Sequence, residues 1–116
     1  MKENKLLTMS QVFAVEIISL SNELKKLNEN SFADQLKRSG TSISANIAEG
    51  NYPQSKKDMI SKFEIALKEA NETENWLMIF KRSKLLSSEK IDPLHKKLIK
   101  IKIMLISSIK TLKGLK

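Results

Sequence analysis

Apolar residues recur at alternating intervals of three and four along most of the chain, and no other feature restricts its fold so strongly. This spacing is that of an α-helix with one buried face. The pattern divides into four segments separated by short polar breaks: residues 10–27, 32–49, 56–86 and 93–112. Only three glycines and two prolines occur in 116 residues, so the chain lacks the turn residues of a β-rich fold. We therefore predict an all-α fold of four helices and a single domain over residues 1–116.

Short connections between long helices place consecutive helices antiparallel, and four such helices form an up-down-up-down four-helix bundle. The first and fourth helices carry more apolar residues than the roughly 100° stripe that a bundle core needs. The surplus residues are Val12, Val15 and Ile18 in the first helix and Ile99, Ile103, Ile106 and Ile109 in the fourth. Because a large exposed apolar strip commonly marks an interface, we expect the protein to self-associate as a homo-oligomer.

Local signals predict where three of the helices begin. Ser31 and Ser55 are predicted N-caps of the second and third helices, and Asp58 completes a capping box with Ser55. Asp92 followed by Pro93 predicts that the fourth helix begins there, with proline at its first helical position.

Two glycines, one within the second helical segment and one directly after it, are predicted to have different roles. Gly40 lies on the apolar stripe, where glycine costs about 1 kcal/mol relative to alanine, so we expect another helix to approach it closely. Gly50 follows the segment and precedes Pro53, which is typical of the C′ residue that ends a helix. The polar residues 28–30 are predicted to end the first helix.

Positive charge is concentrated in the last third of the chain. Residues 1–80 carry 10 Lys/Arg and 11 Asp/Glu, a net charge of −1, whereas residues 81–116 carry 11 Lys/Arg and 2 Asp/Glu, a net charge of +9. Such asymmetry is typical of a polyanion-binding face, although solvated lysines of a lysine-rich protein would produce the same pattern. The residues predicted to contact nucleic-acid phosphates are Lys81, Arg82, Lys84, Lys96, Lys97 and Lys100.

Catalytic chemistry has no candidate constellation in this sequence. There is no cysteine, and the single histidine, His95, is expected to be a solvated surface residue. Glu69, Glu72 and Glu74 lack the Glu-x-x-His motifs of a di-iron bundle. We therefore predict a non-enzymatic protein with no cofactor and no bound metal.

Five polar or aromatic residues of the second and third segments remain candidates for contacts between helices or between subunits. For the two polar positions of the second segment, a solvent-facing role near the helix end stays open beside such a contact. For the tryptophan, packing in the core or at a subunit interface is favoured over base stacking, because no other exposed aromatic residue accompanies nearby basic residues. The five residues are Asn46, Glu49, Glu69, Thr73 and Trp76.

Four stretches of the second and third segments resemble the bacterial four-helix-bundle family that includes proteins encoded in intervening sequences of 23S ribosomal RNA genes. The stretches are residues 35–39 (Gln-Leu-Lys-Arg-Ser), 42–50 (Ser-Ile-Ser-Ala-Asn-Ile-Ala-Glu-Gly), 55–58 (Ser-Lys-Lys-Asp) and 66–77 (Ala-Leu-Lys-Glu-Ala-Asn-Glu-Thr-Glu-Asn-Trp-Leu). The likeness extends over nearly the whole chain. Residues 52–54, Tyr-Pro-Gln, depart from the Gly-Arg stretch that usually follows the Asn-Ile-Ala-Glu-Gly string.

The resemblance implies an antiparallel bundle that assembles as a homopentamer and has no established enzymatic activity. It also implies a relation to the accessory variability determinant of diversity-generating retroelements, a basic pentameric bundle that associates with a reverse transcriptase and nucleic acid. RNA, DNA or a nucleic-acid enzyme are therefore the expected partners beside further copies of the chain.

The compartment is expected to be the cytoplasm. The N-terminal residues lack the apolar core and cleavage site of a signal peptide, and no apolar run approaches the roughly 20 residues that span a bilayer. Two rival functions stay open. The basic fourth helix could bind a membrane surface without crossing it, or the bundle could be a purely structural protein-interaction module.

Overall fold

The computed structural model describes residues 4–115 and contains four α-helices in this part of the chain: α1 (Asn4–Lys26), α2 (Asn30–Gly50), α3 (Lys56–Arg82) and α4 (Ser88–Leu112). Each helix packs against the next along the chain, and α1 also packs against α4. The four helices therefore surround one hydrophobic core. The predicted all-α fold of four helices is confirmed.

The core is built from the apolar stripes that the 3/4 spacing indicated. Every helix contributes several fully or nearly fully buried side chains, and the three largest are phenylalanines. The buried stripes include Leu6, Phe13, Ile17, Leu20 and Leu24 of α1, Leu36, Ile43 and Ile47 of α2, Phe63, Leu77 and Phe80 of α3, and Leu94, Leu98, Ile101 and Leu105 of α4. Burial of apolar area at this density is what holds the helices in place.

The two glycines of α2 both permit close contact with another helix. A Cβ at Gly40 would lie 2.6 Å from Cγ2 of Ile17, so the predicted close approach of a helix to Gly40 is confirmed. The C′ role predicted for Gly50 is wrong, because Gly50 is the last helical residue and Asn51 is the C-cap. A Cβ at Gly50 would lie 2.6 Å from Cε1 of Phe63, which explains why a residue without a side chain stands there.

The predicted helix starts have different outcomes. Ser55 caps α3 as predicted, accepting a hydrogen bond from the Asp58 backbone N–H at 3.0 Å. The N-cap prediction for Ser31 is wrong, because α2 begins at Asn30 without a side-chain cap. The predicted start of α4 at Pro93 is also wrong, because the helix begins at Ser88 and includes Pro93.

Burial explains why α4 starts before Pro93. Ile91 is fully buried, and helical geometry from Ser88 onward places it on the same stripe as Leu94 and Leu98. Pro93 leaves the backbone carbonyl of Glu89 without its usual helical donor, and Glu89 is an exposed residue near the start of the helix.

Left-handed residues end α1 and α3. Asn28 has φ of 62°, and the Glu29 N–H donates to the Leu24 carbonyl at 2.9 Å, so the polar break 28–30 ends α1 as predicted. Lys84 also has φ of 62°, which ends α3 at Arg82 rather than at Leu86 as predicted. A lysine carries no sequence signal for this conformation.

Most of the surplus apolar residues of α1 and α4 are exposed. Val15 is 67% exposed and Ile103 61%, and Val12, Ile18, Ile99 and Ile106 lie between 37% and 49%. Ile109 is an exception: it is buried and belongs to the core instead of the outer strip. The outer strips of the two helices therefore remain uncovered in a single copy of the chain.

Candidate nucleic-acid interface

A cavity of about 730 Å³ lies beside the loop that joins α3 to α4. Its lining residues are Met78, Lys81, Arg82, Lys84, Leu86, Ser87 and Ser88. Lys81 is neutralised by Asp92, whose Oδ1 lies 2.7 Å from the Lys81 Nζ. Arg82 and Lys84 are exposed and have no ion-pair partner within residues 4–115. Three of the six predicted phosphate contacts therefore meet in one concave site, and two of them carry unpaired charge.

The other three predicted contacts lie along α4 and point in two directions. Lys96 and Lys100 are one helical turn apart, exposed, and free of ion pairs to the described part of the chain. Lys97 instead bonds across to α1, with its Nζ 2.7 Å from Oε1 of Glu16. The six residues thus form a cavity group and a separate α4 group rather than one site.

Sequence reasoning missed two basic residues on the other side of the same loop. A second cavity, of about 740 Å³, is lined there by Lys26 and Lys90 together with Glu23, Leu86 and Ser87, among other residues. Lys90 forms an ion pair with Glu23. A sequence signal for Lys26 was available, because two basic residues, Lys25 and Lys26, lie in the last turn of α1 in the same way that Lys81 and Arg82 lie in the last turn of α3.

Acidic side chains are used mainly between helices. Glu16 and Glu23 of α1 pair with Lys97 and Lys90 of α4, and Glu49 of α2 pairs with Lys62 of α3. Glu74 of α3 pairs with Lys102 of α4, and Glu64 of α3 pairs with Lys113, the C-cap residue of α4. Because these carboxylates face neighbouring helices, the cations left over point outward. Exposed cations without an ion pair inside residues 4–115 include Arg82, Lys84, Lys96, Lys100 and Lys110. The surface charge is consequently positive where the bundle meets solvent around α4.

The predicted inter-helix residues of α3 join α2 to α3 within one copy of the chain. Arg38 bonds to Oε1 of Glu69 at 3.1 Å and also pairs with Glu72. The hydroxyls of Thr73 and Ser39 are 2.9 Å apart and fully buried, so each provides the other with a hydrogen-bond partner inside the core.

Trp76 is a packing residue with one polar anchor. Its ring lies 5.9 Å from that of Phe32 and 6.1 Å from that of Phe80, measured between ring centroids. Its indole N–H donates to Oε2 of Glu72 at 3.1 Å. The half-buried indole is therefore engaged by side chains of α2 and α3, as the packing role predicts.

Asn46 and Glu49 occupy the last turns of α2. The Asn46 amide donates to the Ser42 carbonyl of its own helix at 2.8 Å, so Asn46 makes no hydrogen bond to another helix in the described chain. Glu49 reaches α3, with its Oε1 3.0 Å from the Nζ of Lys62. The hydrogen bond that the Lys62 ammonium donates to Glu49 raises the pKa of Lys62.

Glu74 is a junction between α3 and α4. Its Oε1 accepts from the Lys102 ammonium at 2.7 Å, and its Oε2 lies 2.8 Å from Nε2 of His95. The expectation that His95 is simply solvated is wrong, because its side chain is only 25% exposed and bonded to a carboxylate. The hydrogen bonds from Lys102 and then His95 lower the pKa of Glu74.

We expect the free energy of unfolding to fall on acidification, and part of this fall to depend on Glu74. Its folded-state pKa is below the ordinary value of 4.5, so its stabilisation is complete above pH 4.5 and is lost as the pH falls through the folded-state pKa. The Glu74→Gln variant should lose about 1 kcal/mol near neutral pH and converge with the wild type in acid. Urea unfolding across this range measures both, with the exposed Glu89→Gln variant as control. A constant difference between Glu74→Gln and wild type would contradict this role.

Residues 4–115 contain no group of three or more His, Asp or Glu side chains placed to hold a metal ion. Over the same residues, no helix combines the length and hydropathy needed to cross a bilayer. What the arrangement can do is offer fixed, unpaired cations to an anion.

Taken together, the four helices and the outward cations define a small all-α bundle protein with a basic surface. Residues 2–107 match the family described as 23S rRNA-intervening sequence protein, and the chain belongs to that family. It is similar to a protein of unknown function from the S23 ribosomal protein family of Bacteroides thetaiotaomicron, known from a crystal structure. The two are 42% identical, with a TM-score of 0.88, over 90% of this chain and 98% of that one. None of the curated proteins matches the chain.

Proposed function

We propose that this protein is a non-enzymatic, homo-oligomeric bundle of the cytoplasm whose basic surface around α4 binds RNA or DNA directly or through a nucleic-acid enzyme. The helices are proposed to run up-down-up-down. The ion pairs support this order, since Glu16 pairs with Lys97 whereas the later Glu23 pairs with the earlier Lys90.

Assembly is supported by the uncovered apolar strips of α1 and α4. Side chains such as Val15 and Ile103 would gain roughly 1 to 2 kcal/mol each if another copy removed them from water. Family resemblance gives five as the proposed number of copies. A ring of copies would also repeat the basic surface several times, which strengthens binding to a long polyanion through effective concentration.

Nucleic-acid contact is carried by one observation: carboxylates pair with some cations of the α3–α4 region, while four others remain exposed and unpaired within residues 4–115. Arg82, Lys84, Lys96 and Lys100 are exposed and form no ion pair within the described chain. Unpaired surface lysines and arginines gain free energy by releasing the counterions of phosphates, and this gain is independent of base sequence.

We expect binding to single-stranded RNA to weaken steeply with salt. Four phosphate contacts per copy give a slope of about −3 in a plot of log K against log salt concentration, and contacts from several copies make it steeper. Fluorescence anisotropy with a labelled oligonucleotide of unrelated sequence, titrated at several salt concentrations, measures the slope. Absence of binding at low salt, or a slope near zero, would contradict direct binding and leave only contact through a nucleic-acid enzyme.

Peripheral membrane binding is the second candidate, and exposed isoleucines next to lysines favour it. Ile99, Ile103 and Ile106 are outside the core and lie on α4 near Lys100 and Lys110. Interfacial helices combine an apolar strip with flanking cations in this way. Co-sedimentation with vesicles containing anionic lipid tests it: pelleting of folded, assembled protein supports the membrane role, whereas protein that stays in solution argues for strips covered by sister copies.

A further inference from the structure

We propose that the cavity beside the α3–α4 loop binds a phosphate monoester, the terminal phosphate of a nucleic-acid strand, and that the α4 lysines contact internal phosphates of the same strand. This inference rests on the nucleic-acid binding proposed above and divides it into two sites with different chemistry. The division follows from where the structure places the two groups of cations.

The cavity concentrates charge on a concave surface. Arg82 and Lys84 both line it, and both lack an ion-pair partner in residues 4–115. Lys81 adds a third ammonium whose charge is already shared with Asp92 at 2.7 Å. Neither Asp92 nor Glu89 is among the residues that line the cavity, and the Asp92 carboxylate is engaged by Lys81.

The residues that line the cavity carry several hydrogen-bond donors. A guanidinium presents five N–H groups in a fixed fork, and an ammonium presents three. Ser87 and Ser88 are also among the lining residues, and the Ser87 side chain forms no cap hydrogen bond to α4. An internal phosphodiester carries one charge and two free oxygens, whereas a monoester carries about −1.5 to −2 charges and three acceptor oxygens. The donor set therefore matches a monoester.

The loop that carries Lys84 is held in one conformation. Lys84 has φ of 62°, its N–H donates to the Lys81 carbonyl at 3.1 Å, and the Leu86 N–H donates to the Phe80 carbonyl at 3.2 Å. Leu86 is 5% exposed and packs into the core. Because these contacts lie within the chain itself, binding need not supply the cost of ordering the loop.

The α4 group differs in shape. Lys96 and Lys100 stand one turn apart, about 6 Å along the outer face of a helix, and neither lines the cavity. A row of cations on a convex surface can follow successive phosphates of a strand but cannot enclose one of them. The cavity group is therefore predicted to recognise the strand's end, and the α4 group its backbone.

The experiment compares two RNA oligonucleotides of one sequence, labelled at the 3′ end, that carry a 5′-phosphate or a 5′-hydroxyl. We expect the wild-type protein to bind the phosphorylated strand about 10-fold more tightly, as charge-assisted hydrogen bonds to one added phosphate allow. In the Arg82→Gln, Lys84→Gln variant this ratio should fall to about one. In the matched Lys96→Gln, Lys100→Gln variant both affinities should fall while the ratio is kept.

Each outcome decides the proposal. Equal binding of the two strands by wild type, or a ratio that survives Arg82→Gln, Lys84→Gln, overturns the monoester site while leaving nucleic-acid binding intact. Failure to bind either strand at low salt overturns both the monoester site and direct nucleic-acid binding.

Unlabelled adenosine monophosphate separates the sources of the monoester. If adenosine monophosphate competes as strongly as the phosphorylated strand, the ligand of the cavity is a free small phosphate. If it competes more weakly, the ligand is the end of a strand. Either result supports a monoester site in the cavity. Circular dichroism of each variant verifies that the helices are unchanged.

Discussion

Reversing the charge of Arg82, Lys84, Lys96 and Lys100 together to glutamate is expected to weaken single-stranded RNA binding at least about 100-fold near 0.1 M salt. Four lost phosphate contacts remove close to three powers of ten in affinity under these conditions, before any added repulsion. The salt slope should become shallower by about 3 at the same time. Anisotropy titration of the variant against wild type measures both quantities.

A matched control keeps the total charge change constant. It reverses four other exposed cations that have no ion pair in the described chain, and these are Lys5, Lys37, Lys56 and Lys68. None of them borders the α3–α4 loop cavities. We expect the control to reduce affinity several-fold through the lower overall charge. If the two variants lose affinity equally, the α3–α4 region has no special role and the basic charge acts only as a whole.

The Gly40→Val variant is expected to lose about 3 kcal/mol of unfolding free energy, at the upper end of what overpacking costs. A Cβ at Gly40 would lie 2.6 Å from Cγ2 and 3.0 Å from Cγ1 of the fully buried Ile17. Ile17 is β-branched on a helix and has no other favourable rotamer, so the clash must separate α1 from α2. Urea or thermal unfolding followed by circular dichroism measures the loss.

Two further variants identify the cause of that loss. Ala45→Val adds the same β-branched side chain at an exposed position of α2 and should change stability by less than about 0.5 kcal/mol. Ile17→Ala removes the atoms that Gly40→Val would strike, so the double variant should lose less than the sum of the two single losses. Simple additivity would show that the contact between Gly40 and Ile17 is not what limits the size of residue 40.

The stripes of the core were predictable because burial follows helical periodicity directly. Phe13, Ile43 and Leu98 lie where the 3/4 spacing places them. The close contact at Gly40 was predictable because glycine is unfavourable within a helix unless another element packs closely against it. The start of α4 was not predictable from Asp92 and Pro93, because the burial of Ile91 outweighs the local preference of proline for a first turn.

The candidate site was predictable only in outline. The excess of lysine and arginine after residue 80 indicated the region, but which cations remain free depends on contacts between distant parts of the chain. Lys97 is neutralised by Glu16, 81 residues away, and His95 is bound by Glu74, 21 residues away. Local sequence contains no signal for either pair, whereas the packing of α4 against α1 and α3 fixes both.

The uncovered residues of α1 and α4 connect the fold to the proposed function. Val15 and Ile103 are more than half exposed on a chain whose other large apolar side chains mostly enter the core. The basic surface is repeated in an assembly only if other copies of the chain bury these side chains.

Light scattering coupled to size-exclusion chromatography tests this claim most directly, since it gives the mass of the assembled protein without reference to its shape. We predict a mass several times the 13.2 kDa of one chain, with five times that value as the proposed assembly. A stable species of 13.2 kDa at micromolar concentration would contradict the account.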